Sequence, residues 1–277
     1  MLDIKRALQN GEVLTGPFSL SGSPTLVETI GYAGLDFVII DCQHGTTSPF
    51  GSELEQQIRA AYAADIAPVV RTADNDRGQI LKAMDFGAKG VIVPQVNTAE
   101  EARQAVSYTH YAPVGRRSDT SSVRAAKHGF VEWSEHHRRM AEESLLFVLI
   151  EESSGIQNAE DIAAVEGLGG IFFGPFDLAI SVGAPESVYD SSDDSPIQAH
   201  RKAVYEIAKS RGLSVADLAW DIDSAKMMIE LGAQFVALGT DVTMFANSCR
   251  DLHEEVDQMK LGAIGARSEA RGETATE

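Results

Sequence analysis

A (β/α)8 barrel is the fold class this sequence predicts, and three observations predict it. Eight short apolar runs recur along the chain, amphipathic stretches of helical period separate them, and two of the runs stop at an acid, Glu151 directly and Asp177 through a turn. Continuous apolar runs read as strands covered on both faces, the mark of a parallel sheet. Strands alternating with helices close into a barrel or spread into a doubly wound open sheet. The open sheet usually announces itself with a Gly-rich turn after its first strand, and Ser21-Gly22-Ser23-Pro24 is not that turn. The length of 277 residues suits one barrel domain.

In order, strands are expected near Gly16–Leu20, Phe37–Asp41, Ala67–Arg71, Gly90–Pro94, Leu145–Glu151, Gly170–Phe173, Leu213–Asp217 and Phe235–Leu238. Helices are expected at Thr25–Ala33, Ser52–Ala64, Asp76–Gly87, Ala99–Tyr108, Asn158–Val165, His200–Arg211 and Asp223–Gly232. Thr98 reads as an N-cap, with Glu100 and Glu101 in the first turn behind it. Gly87, Gly212 and Gly232 fall where helices need a left-handed terminating residue. The barrel domain is expected to occupy residues 1–261, with a long insert near 109–143 rich in Arg, His and Ser. Inserts of that length serve as lids, subunit contacts or disordered loops. From Gly262 to Glu277 the chain turns polar and loses its apolar period, which predicts a partly disordered tail.

Composition narrows the function. Hydrophobic residues make up 44% and charged residues 23%, ordinary for a globular protein. No apolar run approaches the ~20 residues of a membrane helix. A formal net charge of −18 repels nucleic-acid phosphates and anionic lipid, so neither is an expected partner. Met1-Leu2-Asp3-Ile4-Lys5-Arg6 lacks the apolar core of a secretory signal, and two distant cysteines, Cys42 and Cys249, form no disulfide framework. A cytoplasmic protein is expected.

Strand ends at the C-terminal side of such a barrel share one mouth, where its chemistry sits. Two carboxylates there, Glu151 and Asp177, can hold a divalent cation through hard oxygen ligands, with Mg²⁺ or Mn²⁺ suited to so few protein groups. The plainer reading of each acid alone is a helix cap or a solvated loop acid. Glu152 is the decoy, because a shift of one residue turns a side chain to the other face. His44, in Asp41-Cys42-Gln43-His44-Gly45, is a candidate general base or a hydrogen-bonded loop histidine. Arg71 ends its run and offers a planar fork for an oxyanion, or a salt bridge to Asp74 or Asp76. The turn Gly174-Pro175-Phe176 opens a helix-like stretch whose free amides can bind a carboxylate. The other histidines show no metal-ligand spacing, Cys42 reads as small and buried, and Trp133 and Trp220 read as core or interface residues.

The region from about Pro17 to Leu252 resembles the HpcH/HpaI aldolase family, class II metal-dependent pyruvate aldolases of the phosphoenolpyruvate/pyruvate barrel superfamily. The resemblance rests on an ordered set: Phe37-Val38-Ile39-Ile40-Asp41-Cys42-Gln43-His44, Pro68-Val69-Val70-Arg71, Asp85-Phe86-Gly87-Ala88, Val93-Pro94-Gln95-Val96, Pro113-Val114-Gly115-Arg116-Arg117, Ile150-Glu151 with Asn158, Gly174-Pro175-Phe176-Asp177-Leu178, and Gly232 to Asp241. It implies retro-aldol cleavage of a 4-hydroxy-2-oxo acid to pyruvate and an aldehyde, with Glu151 and Asp177 as ligands of Mg²⁺, or of Mn²⁺ or Co²⁺. It gives Arg71 the pyruvyl oxygen and enolate, His44 proton transfer paired with Asp85, and the amides around Phe176 and Asp177 the pyruvyl carboxylate. Gln95 and Gly174 join the substrate-binding set. The implied assembly is a homo-oligomer, a trimer of dimers. Two departures stand out: Gln43 where family members commonly carry Glu, and Leu149 where many carry Gln. They leave open oxaloacetate decarboxylation, a macrophomate synthase-like bond-forming reaction, and a non-catalytic binding role.

Overall fold

The computed structural model of the chain describes residues 1–192 and 194–270. Eight parallel strands close into a barrel in sequence order: β1 Leu14–Ser19, β2 Phe37–Asp41, β3 Ala67–Arg71, β4 Gly90–Val93, β5 Leu145–Ile150, β6 Gly170–Phe173, β7 Ser214–Ala219 and β8 Phe235–Thr240. The fold is the predicted (β/α)8 barrel.

Side-chain alternation divides the apolar runs between two cores. On β5, Leu145, Phe147 and Leu149 fill the barrel interior with Phe37, Val69, Phe172 and Phe235. Leu146, Val148 and Ile150 face the surrounding helices with Val70, Val91, Ile171 and Val236. Both sets are almost wholly buried, which is why these strands lack any polar alternation in sequence.

Local signals set the helix ends. Thr98 caps Ala99–Thr109 in a full capping box with Glu101. Gly87 and Gly232 terminate their helices at φ 99° and 110°, a conformation costly for any residue with a Cβ. The insert carries a tight turn segment, Arg124–Gly129, which leaves helical geometry from Ala126 to His128, and a helix, Trp133–Glu143. One further helix spans Asp241–Ala270, so residues 262–270 continue a helix where the sequence suggested a polar tail. Their Ala, Arg and Glu content is compatible with that continuation; residues 271–277 lie outside the described residues. Asp241 opens this helix and accepts the Leu20 amide at 2.9 Å and the Ser21 hydroxyl at 2.5 Å, which ties the end of β8 to the loop after β1.

His110, at the start of the insert, is buried with Nε2 2.9 Å from the Gly167 carbonyl. Burial pulls its pKa down to about 4. The ordinary value in an unfolded chain is about 6.5, so the neutral ring is favoured by folding. The stabilisation is full above that value and is lost as pH falls toward 4, about 3 kcal/mol in all. Urea unfolding at pH 7 and pH 4 is expected to show this loss in the wild type and a flatter profile in His110→Gln.

Candidate active site

Alternation along the strands decides which polar residues enter the mouth. Residues 145, 147 and 149 point inward, so the next residue of that parity, Glu151, points into the mouth. Glu152 takes the opposite parity and accepts from Asn97 Nδ2 at 2.9 Å, away from the cavity. The same rule turns Arg71 inward after Ala67 and Val69, Asp41 after Phe37 and Ile39, and Trp220 after Ala216 and Leu218. These strand ends surround a cavity of about 230 Å³, lined by Glu151, Asp177, Arg71, His44, Phe176 and Gly174 among others.

Glu151 is 5% exposed, and the Gln95 amide donates to its Oε1 at 2.9 Å. Burial pushes its pKa up to about 7 and the charge of Asp177 adds to the rise, against that amide and the nearby Arg71, which favour the carboxylate. A buried acid with only one amide donor is costly to ionise unless a cation arrives. Among the described residues no third His, Cys, Asp or Glu joins the pair in a metal-binding cluster. Two hard oxygen donors lining one cavity suit a divalent cation that also keeps waters and a chelating substrate. The residues present therefore fit the metal that the fold family implies.

The space around Glu151 is tight. A Cβ added at Gly174 would lie 2.6 Å from Glu151 Cβ and 3.1 Å from its Oε2. Gly174→Ala is expected to displace the carboxylate and lower kcat about 100-fold, with a smaller stability cost of about 1–3 kcal/mol. Paired turnover kinetics and thermal melts check it.

Arg71 pairs with neither Asp74 nor Asp76. Its Nε and Nη2 donate to the two carboxylate oxygens of Asp41 at 2.8 and 2.6 Å. Asp41 is its direct neighbour in the β2–β3 register. The guanidinium also lies 4.6 Å from the centre of the Phe18 ring. Asp41 and Phe18 thus hold the arginine in one orientation, a role the sequence reading missed, though inward parity on adjacent strands was signal enough for Asp41. Trp220 was also misplaced: it lines the mouth, edge-on to Phe176 at 5.2 Å. Cys42 is buried with its thiol pushed up to about 12, inert as a nucleophile.

His44 stands exposed at the lip of the cavity. Asp85 does not reach it within one chain. It sits at the C-terminal end of helix Arg77–Phe86, which leads back to the start of β4, at the far end of the barrel. Burial raises Asp85 to about 6, against Arg117 and Lys82. The Gln95 side chain is exposed and outside the cavity, and its backbone, at φ 54°, is what serves Glu151. Lys82 and Lys89 lie off the mouth; Lys89 is paired with Glu143 at 2.8 Å.

The barrel mouth sets two acids suited to a divalent cation beside a fixed arginine fork. The family model described as HpcH/HpaI aldolase/citrate lyase matches residues 14–248, and the chain belongs to that family of carbon–carbon lyases. It is 31% identical over 265 residues to the 2-keto-3-deoxy-L-rhamnonate aldolase of Escherichia coli strain K12, covering 95% of each protein. Among solved structures it resembles an HpcH/HpaI aldolase/citrate lyase family protein from Burkholderia cenocepacia J2315, with TM-score 0.85, 27% identity and 93% and 100% of the two chains covered. It also resembles the citrate synthase SbnG, with TM-score 0.80, 30% identity and coverage of 94% and 98%.

Proposed function

We propose that this chain cleaves a 4-hydroxy-2-oxo acid, of the 2-keto-3-deoxy sugar acid kind, to pyruvate and an aldehyde. The observation that carries the reading is that Glu151, Asp177 and Arg71 all line one cavity. Glu151 and Asp177 would hold the divalent cation, Mg²⁺ in the first instance with Mn²⁺ and Co²⁺ as substitutes. Once bound, the cation supplies a Lewis acid for the negative charge that collects on the keto oxygen. Arg71, held by Asp41, places a second positive charge beside the same oxygen. The first-turn amides at Phe176 and Asp177, which lack partners within their helix, suit the pyruvyl carboxylate. His44 takes the proton of the C4 hydroxyl, and the C3–C4 electron pair passes to the enolate of pyruvate as the aldehyde leaves. Trp220 and Phe176 form the aromatic wall beside the leaving aldehyde. Pyruvate release from a 2-keto-3-deoxy sugar acid is expected to stop in chelator and return with Mg²⁺, Mn²⁺ or Co²⁺. Full activity in chelator refutes the metal-dependent reading, and faster loss of CO₂ from oxaloacetate reassigns the chain to decarboxylation.

The working form is a homo-oligomer in the cytoplasm. No described helix is long and apolar enough to cross a membrane, and both cysteines are free. Along the helix Asp241–Ala270, Val242, Phe245, Cys249, Leu252, Val256 and Met259 recur at alternating spacings of three and four. All six are exposed, Phe245 at 68% and Met259 at 69%. That is the seam of a helix pairing with a second copy. Association also offers the pairing of His44 with Asp85 that one chain does not make, between subunits. The double variant Phe245→Glu, Leu252→Glu is expected to give a smaller particle by sedimentation; an unchanged mass contradicts this seam.

A further inference from the structure

A second cavity, of about 390 Å³, opens at the other end of the barrel, where the helix Ser52–Ala63 ends, Lys89 leads into β4, and the insert folds across. Its walls carry Arg59, Lys89, Arg124, Lys127 and Arg139, and no acidic residue lines it. These are five of the 23 lysines and arginines of a chain whose net charge is −18.

Two of the five already have partners: Arg59 meets Glu55 at 2.6 Å and Lys89 meets Glu143 at 2.8 Å. Among the described residues the other three make no ion pair, though the charge of Glu55 is felt at Arg124. Arg124 donates to the Phe86 carbonyl at 2.8 Å and lies 4.3 Å from the centre of the Tyr62 ring. Arg139 donates Nη2 to the Ala125 carbonyl at 2.8 Å, and its Nε is buried with no acceptor. Lys127 heads a run of three left-handed residues, with φ of 50°, 55° and 90° at Lys127, His128 and Gly129. Two successive non-glycine residues in that region are strained, a feature that collects where a loop must present a side chain to a ligand.

We propose that this cavity binds the phosphate group of a small molecule, at a site separate from the mouth. A planar carboxylate satisfies one guanidinium fork, whereas a tetrahedral dianion can meet Arg124, Arg139 and Lys127 from different sides at once. The volume leaves room for an organic body beyond the phosphate. The site lies across the barrel from Glu151 and Asp177, so it does not depend on the reaction assigned to them.

The test is thermal melting and calorimetry of the whole protein with ribose 5-phosphate, ribose, inorganic phosphate and KCl at matched ionic strength. A saturable stabilisation by ribose 5-phosphate that ribose and KCl do not reproduce is expected. Comparable binding of inorganic phosphate would assign the site to the free ion, and weaker binding to a phosphate ester; either supports phosphate recognition here. Arg139→Lys and Lys127→Gln are each expected to weaken binding about tenfold while leaving pyruvate binding at the mouth unchanged. Lys127 is exposed, so its variant keeps the test sound if Arg139→Lys fails to fold. No saturable response, as when another copy's acidic segment fills the cavity, overturns the proposal. So does an equal response to KCl, or a response that both folded variants retain.

Discussion

Glu151→Gln is expected to lower kcat by about 1,000-fold or more while leaving the metal-free protein at least as stable at pH 8. The two halves have one cause. The wild-type acid is 5% exposed and burial pushes it up to about 7, so holding it ionised at pH 8 costs folding free energy. The glutamine removes that cost, and its amide oxygen can still accept from the Gln95 N–H. It cannot supply the negative charge that a divalent cation needs. Added Mg²⁺ should therefore raise the melting temperature of the wild type and leave Glu151→Gln unmoved. A variant that lost stability and activity together, with metal binding intact, would make Glu151 a structural residue.

Arg71→Ala should show the reverse balance, a large fall in stability alongside the fall in rate. The side chain of Asp41 is fully buried, and Arg71 is its cation at 2.6 Å. Removing one partner of a buried pair leaves an uncompensated charge, at a cost of about 3–5 kcal/mol. The lost contact to developing negative charge should lower kcat by about 100- to 1,000-fold. Arg71→Lys separates the effects: it keeps a charge near Asp41 and loses the fork, so more stability than activity should survive. Denaturant melts and pyruvate-release kinetics on both variants decide it; an Arg71→Ala protein as stable as wild type would refute the positioning role of Asp41.

The barrel was legible because a parallel strand buried on both faces leaves an uninterrupted apolar run, as Leu145 to Ile150 does, and because Thr98, Gly87 and Gly232 mark helix ends through their own chemistry. Glu151 could be separated from Glu152 by parity alone. Asp41 was harder. Its partnership with Arg71 depends on β2 and β3 lying side by side in one register, 30 residues apart in sequence. Trp220 reads as core or interface in sequence because the apolar run of its strand ends there at Asp217, two residues before the observed end at Ala219. The pairing of His44 with Asp85 came from resemblance, and one chain separates the two along the barrel axis. The helix Asp241–Ala270 is hard to see in sequence because its residues from Val242 to Lys260 are almost all exposed, and an exposed stretch lacks the broad apolar face that core-facing helices display.

A cation held by Glu151 and Asp177 should let this mouth draw a proton from a bound 2-oxo acid. Exchange of the pyruvate methyl protons for deuterium, followed by NMR, tests it without any knowledge of the aldehyde. Exchange should require added divalent metal in the wild type and be absent from Glu151→Gln and Asp177→Asn at every metal concentration. Exchange at full rate in chelator, or in either variant, would contradict it.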